Sequence, residues 1–253
     1  MHMPLIKIID HDKIWIHNQL RDLGRDIVHQ ENRQRPGRCS RLWSPEVTLN
    51  VILENEGTDD VEALNLEAPN QMWSFTSEEI ARLVKLRFLK LYGGKLVGDF
   101  ENTFSKLRWL SWYHRPAKFQ VTNLKLRNLV VLKLSGMYIT ECWRGWDHIK
   151  EAKNLKVLNI TGCEYLTRVP NLSTFSMLER LILEDCERLV EIDSSIGELK
   201  CLVYLEINGC NSMEKLPAGS SLDKLGLARL YRELSVSTGE LNSLIELPES
   251  IRA

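Results

Sequence analysis

The sequence lacks the features of several common protein classes. No apolar run approaches the roughly 18 residues of a transmembrane helix, and residues 1–7 contain no long apolar segment of a secretory signal. The formal net charge is −1, so no overall field attracts nucleic acid or an anionic membrane surface. These absences predict a location in the cytoplasm, with the nucleus as the alternative, and they argue against membrane and nucleic-acid partners.

Signatures of catalysis and of cofactor binding are also missing. The six histidines are scattered, and neither the H-E-x-x-H nor the G-x-S-x-G spacing occurs. No G-x-x-x-x-G-K-[ST] phosphate loop is present, and no C-x-x-C pair offers ligands to zinc. We therefore predict no enzymatic activity, no cofactor held by this chain and no metal site.

What the sequence does contain is a repeat. Residues 155–163, 178–186 and 202–210 each follow the template L-x-x-L-x-L-x-x-C, with Ile in place of the third Leu in two of them, and the first leucine recurs every 23 or 24 residues. This is the pattern of a leucine-rich repeat. One unit cannot bury its apolar edge alone, so units stack and each contributes one short parallel strand.

The repeat extends in both directions from these three units. Earlier units begin at Val61, Leu86, Leu107 and Leu129, and looser matches follow at Tyr231 and Leu244. We predict an α/β solenoid of seven to eight units over residues 57–253, with short parallel strands and an irregular or helical convex side. Residues 76–79 (Thr-Ser-Glu-Glu) match a capping box, which predicts the start of a short helix at the back of the first unit. The sequence stops inside a unit without a polar capping repeat, which predicts a truncated C-terminal end.

The repeat places particular side chains in its core. Cys163, Cys186 and Cys210 share one repeat position and are predicted to form a buried ladder of free thiols. Trp143 and Trp146 lie in the longest unit. They either cover the convex side, which we favour, or are exposed anchors for a partner.

Residues 1–56 do not repeat and are predicted to form a small α+β unit. Apolar segments on either side of residues 10–12 indicate a β-hairpin. A helix is expected over residues 18–31 with Asn18 as its N-cap, and a second helix is expected to begin at Pro45 after Ser44.

The N-terminal segment resembles a known family. Residues 16–28, 38–43 and 54–59 are similar to the winged-helix end of the nucleotide-binding module in plant intracellular receptors with leucine-rich repeats. These are disease-resistance proteins (NLR proteins), and the class with an N-terminal TIR domain is the most similar. The resemblance covers almost the whole chain and implies that residues 1–56 are a winged-helix remnant with a connecting helix.

The resemblance also implies a nucleotide contact. The family's Met-His-Asp motif reads Ile16-His17-Asn18 here, and in the family its histidine contacts bound ADP. His17 is the matching residue, but the carboxylate and the phosphate loop are both absent. We expect His17 to satisfy only a local polar contact, with ADP or ATP bound by full-length family members and not by this chain.

The template also predicts which side chains face solvent on the concave side. Side chains alternate along a strand, so the positions between the leucines point outward. The first strands are rich in aromatic and basic residues and the last ones in acidic residues. The predicted partner-binding residues are Arg87, Phe88, Lys90, Tyr92, Arg108, Trp109, Tyr113, Lys133, Arg180, Glu184, Tyr204 and Glu206.

Three functions remain open from the sequence. The favoured one is a recognition fragment of a plant immune receptor, which binds a pathogen protein or restrains the receptor's own nucleotide-binding module. The second is a leucine-rich-repeat scaffold or adaptor without an immune role. The third is nucleic-acid binding through the winged helix, helped by Arg33, Arg35, Arg38 and Arg41.

Overall fold

The computed structural model describes residues 5–9, 13–54, 59–70, 72–113 and 120–213. It begins with the predicted hairpin, in which β1 (Ile6–Ile9) pairs antiparallel with β2 (Lys13–Ile16). Helix α1 (Asn18–Glu31) follows and has the predicted bounds. Within the described part of the chain, no helix is both long and apolar enough to cross a membrane.

The start of α1 differs from the sequence prediction. His17, and not Asn18, is the N-cap, and its Nδ1 accepts a hydrogen bond from the backbone N–H of Gln19 at 3.2 Å. The backbone N–H of His17 donates to the carbonyl of Leu5 at 2.8 Å, and His17 has a non-helical backbone with φ −57° and ψ 141°. The helix can therefore begin only at Asn18.

A short segment connects α1 to the solenoid. It contains a 3₁₀ helix (Pro36–Arg38), strand β3 (Arg41–Leu42) and helix α2 (Pro45–Glu54), which begins at the predicted proline. Strand β3 pairs in parallel with the next strand of the main sheet. The sheet thus includes a strand before residue 57, and the division of the chain at 56/57 stays a prediction.

Within the described residues, the main sheet has eight parallel strands, and all but the first come from successive repeat units. Their order is β3-β4-β6-β8-β10-β11-β13-β15. The strands after β3 are β4 (Ala63–Glu67), β6 (Phe88–Tyr92), β8 (Trp109–Tyr113), β10 (Val131–Ser135), β11 (Val157–Thr161), β13 (Arg180–Glu184) and β15 (Tyr204–Asn208).

The register of this sheet is the one that the template predicts. Leu158 aligns with Leu181, which aligns with Leu205, and all three side chains are buried. Leu, Ile or Trp side chains at alternate strand positions point into one continuous core. The opposite positions form the concave face.

The convex side contains smaller elements that close each unit. A three-stranded parallel sheet has the order β5-β7-β9, and β12 pairs with β14. Short helices complete this side. The elements are β5 (Ser74–Thr76), α3 (Ser77–Ala81), β7 (Lys95–Asp99), β9 (Gln120–Thr122), α4 (Gly145–Ile149), β12 (Arg168–Val169), β14 (Glu191–Ile192) and a 3₁₀ helix (Ser194–Glu198).

Two predicted features of the convex side are confirmed. The Thr76 hydroxyl accepts from the backbone N–H of Glu79, and the Glu79 carboxylate accepts from the N–H of Thr76, which completes the capping box. Trp143 and Trp146 are buried, with ring centroids 5.5 Å apart. They cover the convex side, so the alternative that they are exposed anchors is wrong.

The looser units around Tyr231 and Leu244, and with them the predicted truncated end, lie outside the described residues.

Candidate functional site

The concave face is a grid of outward-facing side chains from the parallel strands. The first residues of the strands from β6 to β15 align in one column from Phe88 to Tyr204, and the third and fifth residues form two further columns. Neighbouring strands lie about 4.8 Å apart. The structure therefore brings the predicted strand residues together on one surface in the predicted order.

The N-terminal part of this grid combines rings with lysines. We name it the aromatic–lysine patch; it consists of Phe88, Lys90, Tyr92, Trp109, Tyr113 and Lys133. Phe88 and Tyr92 remain 44% and 39% exposed. The rings of Tyr92 and Tyr113 stack, with centroids 4.5 Å apart, and Lys133 Nζ lies 6.0 Å from the centroid of the Trp109 ring. The packed rings limit each other's motion while leaving apolar surface in contact with water.

Two arginines border the patch just before their strands. Arg87 and Arg108 are exposed, and the Arg87 guanidinium carbon lies 6.0 Å from the centroid of the Phe88 ring. The carbonyl of Arg108 accepts hydrogen bonds from the backbone N–H groups of Val130 and Val131. Hydrogen bonds to the next strand thus fix the backbone at the positions from which the two guanidinium groups extend into solvent.

The C-terminal part of the grid is polar and more closed. The Arg180 guanidinium carbon lies 4.2 Å from the centroid of the Tyr204 ring, and the Tyr204 hydroxyl donates to the carboxylate of Glu206 at 2.9 Å. Tyr204 is only 6% exposed, so its ring does not present the surface that strand alternation predicts. Glu184 is half-buried on the neighbouring strand. The contacts of these residues with a partner stay a prediction.

His17 contacts neighbours within the N-terminal segment. Its Nδ1 accepts from the backbone N–H of Gln19, and its ring meets that of Trp15 edge to face at 5.8 Å. The sequence contains no phosphate loop to hold the β-phosphate. His17 thus makes a local polar contact of the expected kind, and the expectation that this chain binds no ADP stays a prediction.

The cysteine ladder is buried, as the template predicts. Cys163, Cys186 and Cys210 are free thiols inside the core. The hydrogen bond that Cys163 shares with Cys186, together with burial away from water, raises the pKa of the Cys163 thiol. The hydrogen bond between Cys210 and Cys186 and burial raise the pKa of Cys210 in the same way. Among the described residues, no group of His, Cys, Asp and Glu could hold a metal ion.

The structure also contains a cavity that the sequence did not indicate. It has a volume of about 310 Å³ and lies between α1, β3 and α2. Apolar walls from Val28, Leu42 and Val47 adjoin the cationic side chains of Arg25 and Arg41. No periodic signal predicts it, because its walls come from several elements, including Pro36 of the 3₁₀ helix, whose relative placement depends on tertiary packing.

The apolar stripe of α1 consists of Leu20, Leu23, Ile27 and Val28 at helical spacing, and only part of it is buried. Of its four residues at helical spacing, Val28 is buried, whereas Leu23 and Ile27 are 54% and 57% exposed. Hydrophobic spacing indicated the helix, but it did not show how much of the stripe is covered.

Comparison with known sequences identifies relatives over most of the chain. The disease resistance protein RPP2A of Arabidopsis thaliana is 27% identical over 98% of this chain. The TMV resistance protein N of Nicotiana glutinosa is 24% identical over 88% of it. The disease resistance protein RPV1 of Vitis rotundifolia is 26% identical over 76% of it. The chain spans only 20%, 19% and 16% of the length of these relatives.

Comparison with solved structures identifies the fold. The leucine-rich repeat domain of the type III effector XopL superposes with a TM-score of 0.50 at 20% identity, over 92% of this chain and 83% of that domain. The predicted leucine-rich-repeat solenoid is thereby confirmed. No family model matches the chain. The relatives nevertheless confirm the resemblance recognised in the sequence: over most of its length this chain is similar to plant disease resistance proteins.

Proposed function

We propose that this chain is a recognition region of a plant intracellular immune receptor and that its concave face binds another protein during the defence response. The observation that supports this most is the grid of solvent-facing side chains on the parallel strands, with exposed rings concentrated on β6 and β8. It is the largest arranged set of outward-facing side chains in the described part of the chain.

The composition of the grid suits a protein partner. Aromatic and arginine side chains dominate the residues that contribute most to binding energy at protein interfaces. Phe88 and Tyr92 offer partly exposed rings, and Arg87 and Arg108 lie at their border. Parallel strands already hold these rings in place. A partner that buries the rings would therefore gain apolar contact without the entropic cost of ordering a mobile surface.

The charge distribution supports a defined binding orientation. Lys90 and Lys133 lie on β6 and β10, whereas Glu184 and Glu206 lie on the later strands β13 and β15. Opposite charges at two ends of a surface steer a partner into one orientation. The partner is a pathogen protein or the receptor's own nucleotide-binding module, and both would be met in the cytoplasm.

This function involves no catalysis by the chain itself. In the described part, the outward-facing residues of the grid include no nucleophile paired with a base. Nucleotide binding by a longer receptor would require a phosphate loop from another part of that protein, because this sequence contains none.

The proposal is tested by disrupting the concave face in plant tissue. The complete protein that contains this chain is expressed in leaves with candidate pathogen proteins, and cell death and co-immunoprecipitation are measured. The variant combines Phe88→Ala with Trp109→Ala. The control combines Val84→Ala with Val190→Ala, two exposed apolar residues outside the concave strands.

We expect the concave variant to lose both partner association and cell death while the control retains them. Retention of both by the concave variant would contradict the proposal. Loss of association with no change in any defence response would instead support a scaffold or adaptor without an immune role.

A further inference from the structure

Three neighbouring strands in the concave face present no carboxylate to solvent. Strands β6, β8 and β10 contribute nine outward-facing positions, and none is Asp or Glu. They are Phe88, Lys90, Tyr92, Trp109, Ser111, Tyr113, Val131, Lys133 and Ser135. A protein surface normally mixes charges of both signs. This concentration of rings and lysines therefore indicates a binding site for anionic groups of another molecule.

The two lysines of this patch are not neutralised internally. Both side chains are exposed, and among the described residues neither forms an ion pair. Elsewhere on the solenoid, ion pairs join neighbouring units, as between Lys125 and Glu101 at 2.8 Å. Lys90 and Lys133 are therefore available to carboxylates of a partner.

The neighbouring strands mark the limits of this patch. On one side, Glu67 of β4 aligns with Tyr92. On the other, β11 places Asn159 next to Lys133, and the Asn159 side-chain oxygen already accepts from the Thr161 hydroxyl. The cationic region thus has a width of three strands and ends in polar or acidic residues on both sides.

The spacing of the two lysines indicates the spacing of the anionic groups. Lys90 and Lys133 occupy the same strand position on β6 and β10, with Ser111 of β8 between them. Two strand intervals of about 4.8 Å place their backbones about 10 Å apart. A polyproline II segment has three residues per turn and rises about 3.1 Å per residue, so carboxylates at positions i and i+3 lie on one side at a similar distance.

We propose that the aromatic–lysine patch binds an acidic, extended segment of a partner protein, with two carboxylates three residues apart and an apolar side chain between them. This inference rests on the proposed function and adds the chemistry of the partner. The carboxylates pair with Lys90 and Lys133. The apolar side chain contacts the rings of Trp109 and Tyr92.

Single-stranded nucleic acid is another anionic polymer that proteins bind through aromatic rings and lysines. Its binding requires bases that stack on free aromatic faces and a cationic groove that follows the backbone. Here Tyr92 and Tyr113 already stack on each other with a 10° angle between their planes, and the grid becomes acidic at Glu184 and Glu206. The acidic peptide is therefore the better fit.

The test uses the 253-residue chain and two labelled peptides of otherwise equal sequence. One peptide contains Glu-Pro-Phe-Glu and the other Gln-Pro-Phe-Gln, and binding is measured by fluorescence anisotropy at low and high salt. The protein variants are Lys90→Glu with Lys133→Glu, and Lys90→Gln with Lys133→Gln. Lys153→Glu with Lys106→Glu is the control, since these two lysines are exposed outside the concave strands. Circular dichroism checks that every variant is folded.

We expect the acidic peptide to bind more tightly than its amide analogue and to lose affinity as salt screens the charges. Charge reversal at Lys90 and Lys133 should weaken binding more than about tenfold, because the new glutamates repel the carboxylates of the peptide. The glutamine variant should weaken binding less, since it removes the attraction without adding repulsion. Equal binding of the two peptides, or equal loss in the control, would overturn the inference. So would tighter binding of a single-stranded oligonucleotide at the same ionic strength.

Failure of this inference is distinguishable from failure of the proposed function. If the acidic peptide does not bind while Phe88→Ala with Trp109→Ala still abolishes partner association in leaves, only the partner's chemistry is wrong. If neither assay depends on the concave face, the proposed function is wrong as well.

Discussion

Tyr92 and Tyr113 stack face to face across two neighbouring strands, with ring centroids 4.5 Å apart and a 10° angle between the ring planes. Aligned positions on parallel strands bring the two rings together. Aromatic pairs of this kind contribute about 0.5–1.5 kcal/mol beyond the area that they bury. The pair therefore contributes both to the stability of the solenoid and to the shape of its exposed surface.

A double-mutant cycle measures this contribution. Tyr92→Leu, Tyr113→Leu and the double variant are unfolded in urea, and we expect a coupling free energy of about 0.5–1.5 kcal/mol that favours the paired rings. The cycle removes the contacts that each ring makes with other neighbours. Additive losses within about 0.3 kcal/mol would mean that the stacking itself contributes nothing measurable.

Truncation of Leu181 tests how much the buried leucines of the repeat contribute to stability. Its side chain is completely buried between Leu158 and Leu205. Leu181→Ala should lower the free energy of unfolding by about 2–5 kcal/mol, because it removes apolar contacts and leaves a cavity in stacked units. Val203→Ala is the matched control, since Val203 is 69% exposed, and it should change stability by less than about 0.5 kcal/mol. Similar effects of both substitutions in urea unfolding would contradict this account of the core.

The helix cap formed by Asp193 predicts that the stability of the protein depends on pH. Its carboxylate accepts from the backbone N–H of Ser195 at 3.0 Å as the cap of a 3₁₀ helix, and Arg168 lies 3.4 Å away. The hydrogen bonds from Ser195, followed by the charge of Arg168, lower the pKa of Asp193 below 3.8. A depressed folded-state pKa means that the stabilisation is present above the unfolded pKa and is lost as pH falls through the folded value.

The corresponding experiment compares wild type with Asp193→Ala. We expect a loss of about 0.5–2 kcal/mol at pH 7, the usual range for an N-cap, and a smaller difference once the pH falls below 3.8, the ordinary pKa of an Asp carboxyl. Glu187→Ala is the control, because Glu187 is exposed and lies outside this cluster. An equal loss at pH 7 and pH 3 would show that the carboxylate charge contributes nothing to the cap.

The cysteines should differ strongly in reactivity. Cys142 is exposed, whereas Cys163 and Cys186 are completely buried. Iodoacetamide should alkylate Cys142 at the rate of an ordinary thiol and the buried pair at least about a hundredfold more slowly, since their reaction requires local opening. Peptide mass spectrometry under native conditions measures the rates, and urea should equalise them. Fast native alkylation of Cys163 would contradict the buried ladder.

Much of the fold could be predicted from the sequence for a physical reason. A repeat of 23 or 24 residues with fixed leucine positions is a local pattern, and stacking is the arrangement that buries its apolar edge. The same holds for the capping box at Thr76 and for the bounds of α1, because caps and apolar periodicity depend on neighbours in sequence. The order of side chains on the concave face follows from strand alternation.

Other features depended on neighbours that are distant in sequence. The hairpin made His17 the cap of α1 in place of Asn18. Tyr204 is on the predicted side of its strand yet buried, with the Arg180 guanidinium against its ring. Leu23 and Ile27 share a helical stripe with Val28 but remain exposed. The sequence by itself determined which side of each element a residue occupies, whereas the tertiary structure decided how much of that side stays in water, because exposure depends on what packs over it from other units.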